Sequence, residues 1–184
     1  MHPTEILSTE HKAVLTALKI LEKAGQSLAS GNKAAADDLD QLLDFFRGFV
    51  DRCHHGKEEL ILFPELVKRG VPKERGPIGV MLSEHEMGRE HVRKLQALVD
   101  AVRQGDAEAA KDVPGVAASY RVLLELHIQK EDGVLFPMTA RLLDSARAEE
   151  MEKEFEHLER EHVGEGKHEA YHRMLHALRD RYPA

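Results

Sequence analysis

Apolar residues recur with a helical period along nearly the whole of this 184-residue chain. From about Thr4 to Ala29, Leu7, His11, Val14, Leu15, Leu18, Leu21 and Leu28 share one face, and Thr4, following Pro3, is the expected cap. "SGNK" at Ser30 to Lys33 reads as a turn. A second segment, about Ala34 to Lys68, aligns Leu43, Phe46, Val50, His54, Glu58 and Ile61 before "RGVPKERGP" interrupts it. A third, about Ile78 to Gln104, aligns Ile78, Leu82, His85, Val92, Leu95, Val99 and Val102. The fourth ends near Asp144, with Val116, Tyr120, Leu123, His127, Glu131, Val134, Met138 and Leu142 in register, and Pro114 is expected to break or start it. The remainder, about Ser145 to Tyr182, is highly charged and split by "VGEG"; its Phe155, Leu158, Tyr171, Leu175 and Leu178 can cover the other helices.

Four long helices with short connections predict an all-α protein: an antiparallel up-down four-helix bundle over residues 1–144, with a C-terminal helical extension over 145–184 packed on it. Composition agrees, since 42% of residues are hydrophobic but only 5% aromatic, with no Trp, which suits amphipathic helices better than sheet. A net charge of −7 argues against nucleic acid and acidic membrane surfaces as partners. No apolar run approaches the roughly 20 residues that span a bilayer. The single cysteine, Cys53, excludes an internal disulfide and fits a reducing compartment, so a cytoplasmic protein is expected. No nucleotide-binding loop is visible.

What changes this picture is the chemistry of the apolar faces. His11, His54, Glu58, His85, His127 and Glu131 stand at positions where a bundle puts Leu, and a buried ionisable group is costly unless paired or ligated. They also repeat. "HHGKEELILFP" (His54 to Pro64) and "HIQKEDGVLFP" (His127 to Pro137) differ in position by 73 (127 − 54), and "TEHK" around His11 is echoed by "SEHE" around His85, a step of 74 (85 − 11). Each half is a helical hairpin with one His on its first helix and His-x-x-x-Glu on its second. Spacing of i, i+4 stacks that His and Glu on one face. Two such halves bring four His and two Glu together, and six donors are too many for one four-coordinate zinc but adequate for two bridged ions. Imidazole and carboxylate alone leave Fe, Zn, Mn and Cu open.

The paired motif, with His11 and His85, resembles the hemerythrin-like (HHE cation-binding) domains over about residues 5 to 143. The resemblance implies a four-helix bundle around a non-haem di-iron centre with His11, His54, Glu58, His85, His127 and Glu131 as ligands. The two Glu would bridge the irons, with an oxo or hydroxo group between them; Zn or Mn would fit the same donors. One position departs from the oxygen-carrying members, which have a second His one turn after the third-helix His: here it is Arg89, with His91 two residues further on. The implied role is therefore binding of oxygen, peroxide, nitric oxide or iron in sensing, storage or stress protection. Enzymatic removal of peroxide, nitrosative-stress or iron–sulfur repair, and a structural zinc bundle are the alternatives.

The neighbours of these residues carry quieter expectations. His55 and Glu59 have no exact counterparts in the second copy, which has Ile128 and Asp132, so both are expected outside the ligand layer or facing solvent. Lys57 and Lys130 are expected to be solvated, Cys53 to be a packed thiol, and His157, His162, His168, His172 and His176 to lie on the surface. Phe63 and Phe136 are expected to shield the centre, and Arg89 to reach a bound anion there.

Overall fold

The computed structural model describes residues 1–162, 164 and 166–183, and among them every regular element is helical. Helix α1 spans Pro3–Ala29, α2 spans 35–68, α3 spans Pro77–Arg103, α4 spans 109–142, α5 spans Ser145–His162 and α6 spans Lys167–Arg181. Of the "VGEG" break, Val163 and Glu165 lie outside the described residues. No described helix is long and apolar enough to cross a membrane.

Two helix starts differ from expectation. His2, not Thr4, caps α1: its Nδ1 accepts from the Thr4 N–H at 3.3 Å while Glu5 accepts from the His2 N–H at 3.0 Å, a capping box with Pro3 at the first helical position. Helix α4 begins at Ala109 and runs straight through Pro114, which neither starts nor breaks it. Asp106 Oδ1 accepts from the Glu108 and Ala109 N–H groups and sets the start upstream of the proline. Across from Pro114, Gly25 of α1 makes room: a Cβ there would stand 3.1 Å from Val113 and 3.7 Å from Pro114.

The larger departure is helical pitch. Helix α2 is π-helical over Phe46–His55 and Glu58–Leu62, and α4 is π-helical over Glu131–Leu135. An i→i+5 turn holds one more residue than an α turn, so the buried face slips by one position beyond it. Leu62 is therefore fully buried where Ile61 was expected, and Leu135, Phe136 and Thr139 are buried beside an exposed Val134, while Ile61, Met138 and Leu142 stay half-buried against the same cluster. Val134 is 60% exposed. All three π stretches lie at the level of the His and Glu residues.

Helix α1 packs against α2 and α4, and α3 packs against the same two. The apolar interior falls into two clusters. One gathers Leu18, Leu21, Leu42, Phe46, Leu95 and Tyr120, and the other Leu7, Leu66, Ile78, Met81, Leu135 and Phe136. The ionisable layer lies between them. The C-terminal helices lie on α1 and α2: α6 adds Tyr171, Leu175 and Leu178 to the first cluster, and α5 adds Met151 and Phe155 to the second. Burying side chains of this size contributes about 1.5–3 kcal/mol each, more than surface ion pairs supply. Gly48 admits the Tyr171 hydroxyl, which donates to Asp44 Oδ2 at 3.1 Å; a Cβ at residue 48 would collide with it.

Candidate metal centre

The six residues predicted from the repeat converge. Each of His11, His54, Glu58, His85, His127 and Glu131 is at most 2% exposed. Glu131 faces both histidine pairs, with Oε2 3.1 Å from His11 Nε2 and Oε1 3.2 Å from His127 Nε2. Glu58 mirrors it, with Oε2 3.2 Å from His85 Nε2 and Oε1 4.0 Å from His54 Nε2. Within one pair, the Nε2 atoms of His11 and His54 are 3.2 Å apart. Two nitrogens held about 2.1 Å from one ion stand about 3.0–3.4 Å apart, so this spacing suits a shared metal.

Every one of the four imidazoles turns Nδ1 outward to a carboxylate. His11 meets Asp132 at 3.1 Å, His54 meets Glu10 at 2.8 Å, His85 meets Glu59 at 2.7 Å and His127 meets Glu84 at 2.9 Å. An outward hydrogen bond fixes the tautomer and leaves the Nε2 lone pair inward, the arrangement that orients metal-binding histidines. Inward, then, four Nε2 atoms confront two carboxylates. Both oxygens of Glu58 and of Glu131, with Nε2 of His85 and His127, are buried without a hydrogen-bond partner among the described residues. Buried polar atoms are otherwise almost always satisfied, and a cation is what satisfies an all-donor cluster. The residues present fit the metal that the repeat implies.

Electrostatics agree with that reading. Burial disfavours the charged form of His11, yet its hydrogen bond to Asp132 and the nearby Glu131 carboxylate outweigh this and raise it to about 9. His127 is likewise raised to about 9 against burial, by Glu131 and Glu84. Burial holds His54 below its ordinary value. The two carboxylates divide: burial and the Glu131 charge push Glu58 well up, while His127 and His11 overcome burial to hold Glu131 well down. Protons thus partly neutralise the cluster when no metal does.

Several neighbours stand elsewhere than expected. Lys57 is not solvated but 1% exposed, with Nζ 2.5 Å from Glu10 and 2.9 Å from Glu159 on α5. Its ammonium fills the space among Glu10, Cys53 and Glu159 that could otherwise draw a cation. The second copy keeps the contact, Lys130 to Glu84, but leaves Lys130 partly exposed, the C-terminal helices packing mainly on α1 and α2. Burial pushes the packed Cys53 thiol up to about 12. Arg89 does not reach inward: Asp51 and Glu59 hold it at 2.8 and 2.7 Å. Glu59, by contrast, stands outside the ligand layer as expected, half-buried and accepting from His85 Nδ1 at 2.7 Å. His55 is 3% exposed and belongs to the cluster, with a ring nitrogen near those of His85 and His127. Phe136 and Phe63 stack on His11 and His85, with ring centroids 5.5 and 6.0 Å away, and close the layer on one side.

The remaining histidines stay out. His91 donates to the Met87 carbonyl and stacks on Tyr120. His168 bonds Glu159 at 2.7 Å and His172 at 3.0 Å, on the outer side of Lys57. Among the residues that sequence reasoning passed over, Glu10 and Glu84 carried a signal, since each directly precedes its His in "TEHK" and "SEHE".

Residues 2–139 match the family described as Hemerythrin HHE cation binding domain. Among curated proteins, the chain is 26% identical over 161 residues to Uncharacterized protein Rv1995 of Mycobacterium tuberculosis (strain ATCC 25618 / H37Rv) and equally to Uncharacterized protein Mb2018 of Mycobacterium bovis. Each alignment takes in 88% of this chain and 62% of the relative, so the chain spans under two thirds of their length.

Proposed function

The chain belongs to the hemerythrin HHE cation-binding family, and from that premise we propose that it is a non-haem di-iron protein, an up-down four-helix bundle that binds a small redox ligand (oxygen, peroxide or nitric oxide) in sensing, storage or stress protection. One observation carries the reading: two buried carboxylates, each with one oxygen toward one histidine pair and the other oxygen toward the second pair, all without hydrogen-bond partners of their own. His11 and His54 would hold one ion, His85 and His127 the other, and Glu58 and Glu131 would span them.

Bound iron would supply electrons and coordination positions for the small ligand. The chain's own residues do the rest. Asp132, Glu10, Glu59 and Glu84 accept from Nδ1 of the four imidazoles and keep Nε2 aimed inward. Phe63 and Phe136 exclude water from one side, and the two apolar clusters above and below keep the layer rigid. No described residue is placed as a nucleophile or as a general acid toward a bound organic substrate, which favours a binding role over elaborate enzymology.

Metal analysis with an optical spectrum of the aerobically purified protein tests the proposal. Iron together with near-ultraviolet and visible absorption that bleaches on reduction supports it. A colourless protein holding zinc would contradict it.

A further inference from the structure

We propose that His55 is a fifth imidazole donor of this centre, that it joins His85 and His127, and that the two metal positions are therefore unequal. The inference rests on the two-metal reading above and adds a residue that the repeated motif does not supply, because the second copy has Ile128 at the equivalent place.

Three observations point the same way. Ring nitrogens of His55, His85 and His127 all lie within 4.8 Å of one another, and all three residues are buried. Two nitrogens on one ion stand about 3–4 Å apart, adjacent or opposite, so turning His55 and His85 out of their 15° near-parallel stack would bring the three onto one metal. His55 is also the imidazole nearest His85, its ring centroid 3.8 Å away against 4.9 Å for His127. Finally, His55 has the outward carboxylate that each of the other four imidazoles has: its Nδ1 faces Asp51 Oδ1 at 3.4 Å, and Arg89 Nε fixes that same oxygen at 2.8 Å.

The helix explains why adjacent histidines can both turn inward. In an α-helix, neighbours diverge by about 100° around the axis, which would carry His55 away from His54's target. Residues Phe46–His55 are π-helical, and a wider turn rotates each residue less. The second copy is α-helical through His127 and turns π only at Glu131, and its Ile128, which has no donor atom, packs in the first apolar cluster. Asymmetry in pitch thus becomes asymmetry in donors. The His85 position would have three imidazoles and two carboxylate oxygens, and the His11 position two of each. A small ligand is then directed to the His11 and His54 side. Beyond His55 lies a cavity of about 420 Å³ lined also by Asp51, Arg89 and Tyr120, and His55 forms its wall toward the centre.

The test separates this inference from the reading beneath it. Fewer than two irons per chain would end the two-metal reading and this inference with it. With two irons bound, Mössbauer spectra of the oxidised wild type should contain two distinct doublets of equal area, and azide should saturate at one per chain. His55→Ile, which installs the second copy's residue, should bring the doublets together and raise azide binding to two per chain. It should also weaken retention of one iron by about tenfold or more while sparing the other. His55→Gln serves if the isoleucine variant does not fold, and the wild-type spectrum decides if neither does. A single wild-type doublet, or a His55 variant with unchanged spectrum, azide stoichiometry and iron retention, overturns the inference and leaves the two-metal reading standing.

Discussion

His54 donates through Nδ1 to Glu10 at 2.8 Å, and the same bond recurs between His127 and Glu84 at 2.9 Å, each carboxylate also holding a lysine, Lys57 or Lys130. Because the imidazole's inward lone pair depends on that outward bond, Glu10→Gln and Glu84→Gln should each weaken metal binding about 10–100-fold with the helical fold retained. Competition against a chelator of known affinity measures this. Unchanged affinity in both variants would show that the carboxylates are only surface charge partners.

The two halves differ in what lies behind those carboxylates, which predicts unequal stability losses. Glu10→Ala leaves the buried Lys57 with Glu159 alone, whereas Lys130, 41% exposed at its side chain, remains hydrated after Glu84→Ala. Breaking a buried pair by removing one partner costs about 3 kcal/mol, against at most about 1 kcal/mol for an exposed one. Urea denaturation of the metal-free variants should therefore rank Glu10→Ala well below Glu84→Ala.

The two histidine pairs give a third expectation. His54→Ala and His127→Ala should each lower metal content, His54→Ala the more because His55 stands only beside the His127 position, while His91→Ala and His176→Ala leave it unchanged, His91 being bonded to Met87 and His176 to Arg179. A loss at His91 matching that at His54 would mean a different set of ligands.

Docking of α6 should weaken as pH rises. The hydrogen bond to Glu159 raises His168 above its ordinary value, while that same bond and Lys57 hold Glu159 at about 2, so Glu159 stays ionised throughout the neutral range. A raised imidazole contributes stability that is full below about pH 6.5 and is lost as pH climbs through its folded value. Amide exchange in Lys167–Arg181, divided by intrinsic rates, should be faster at pH 9 than at pH 6. His168→Gln should remove the difference.

Much of this was legible in the chain. Helix extents followed from apolar periodicity, and the six inward residues stood out because ionisable groups at matched heights on apolar faces repeated at 73 and 74 positions. What lay hidden was pitch. Nothing in the periodicity of residues 46–62 marks an i→i+5 turn, and beyond that turn the buried face moves from Ile61 to Leu62. Glu10, Glu84, Lys57 and Lys130 are visible as repeated letters, but on a single helix none of them marks a link to the site. Their partners are imidazoles of neighbouring helices, a relation that only packing reveals.

Metal removal probes the same cluster from the folding side. With the cation gone, Glu58 and Glu131 face each other across a buried layer, so chelated protein should melt well below the loaded form, by several degrees for each kcal/mol lost, while the two apolar clusters keep it helical. Equal melting temperatures would contradict a central, folding-coupled site.

The central claim is that Glu58 and Glu131 join two ions within one layer, and anaerobic titration of ferrous iron into metal-free protein tests it most directly. The account predicts saturation at two irons per chain, with Glu58→Ala and Glu131→Ala each impairing both positions instead of one. Saturation at a single iron, or two irons retained unchanged in both variants, would contradict it.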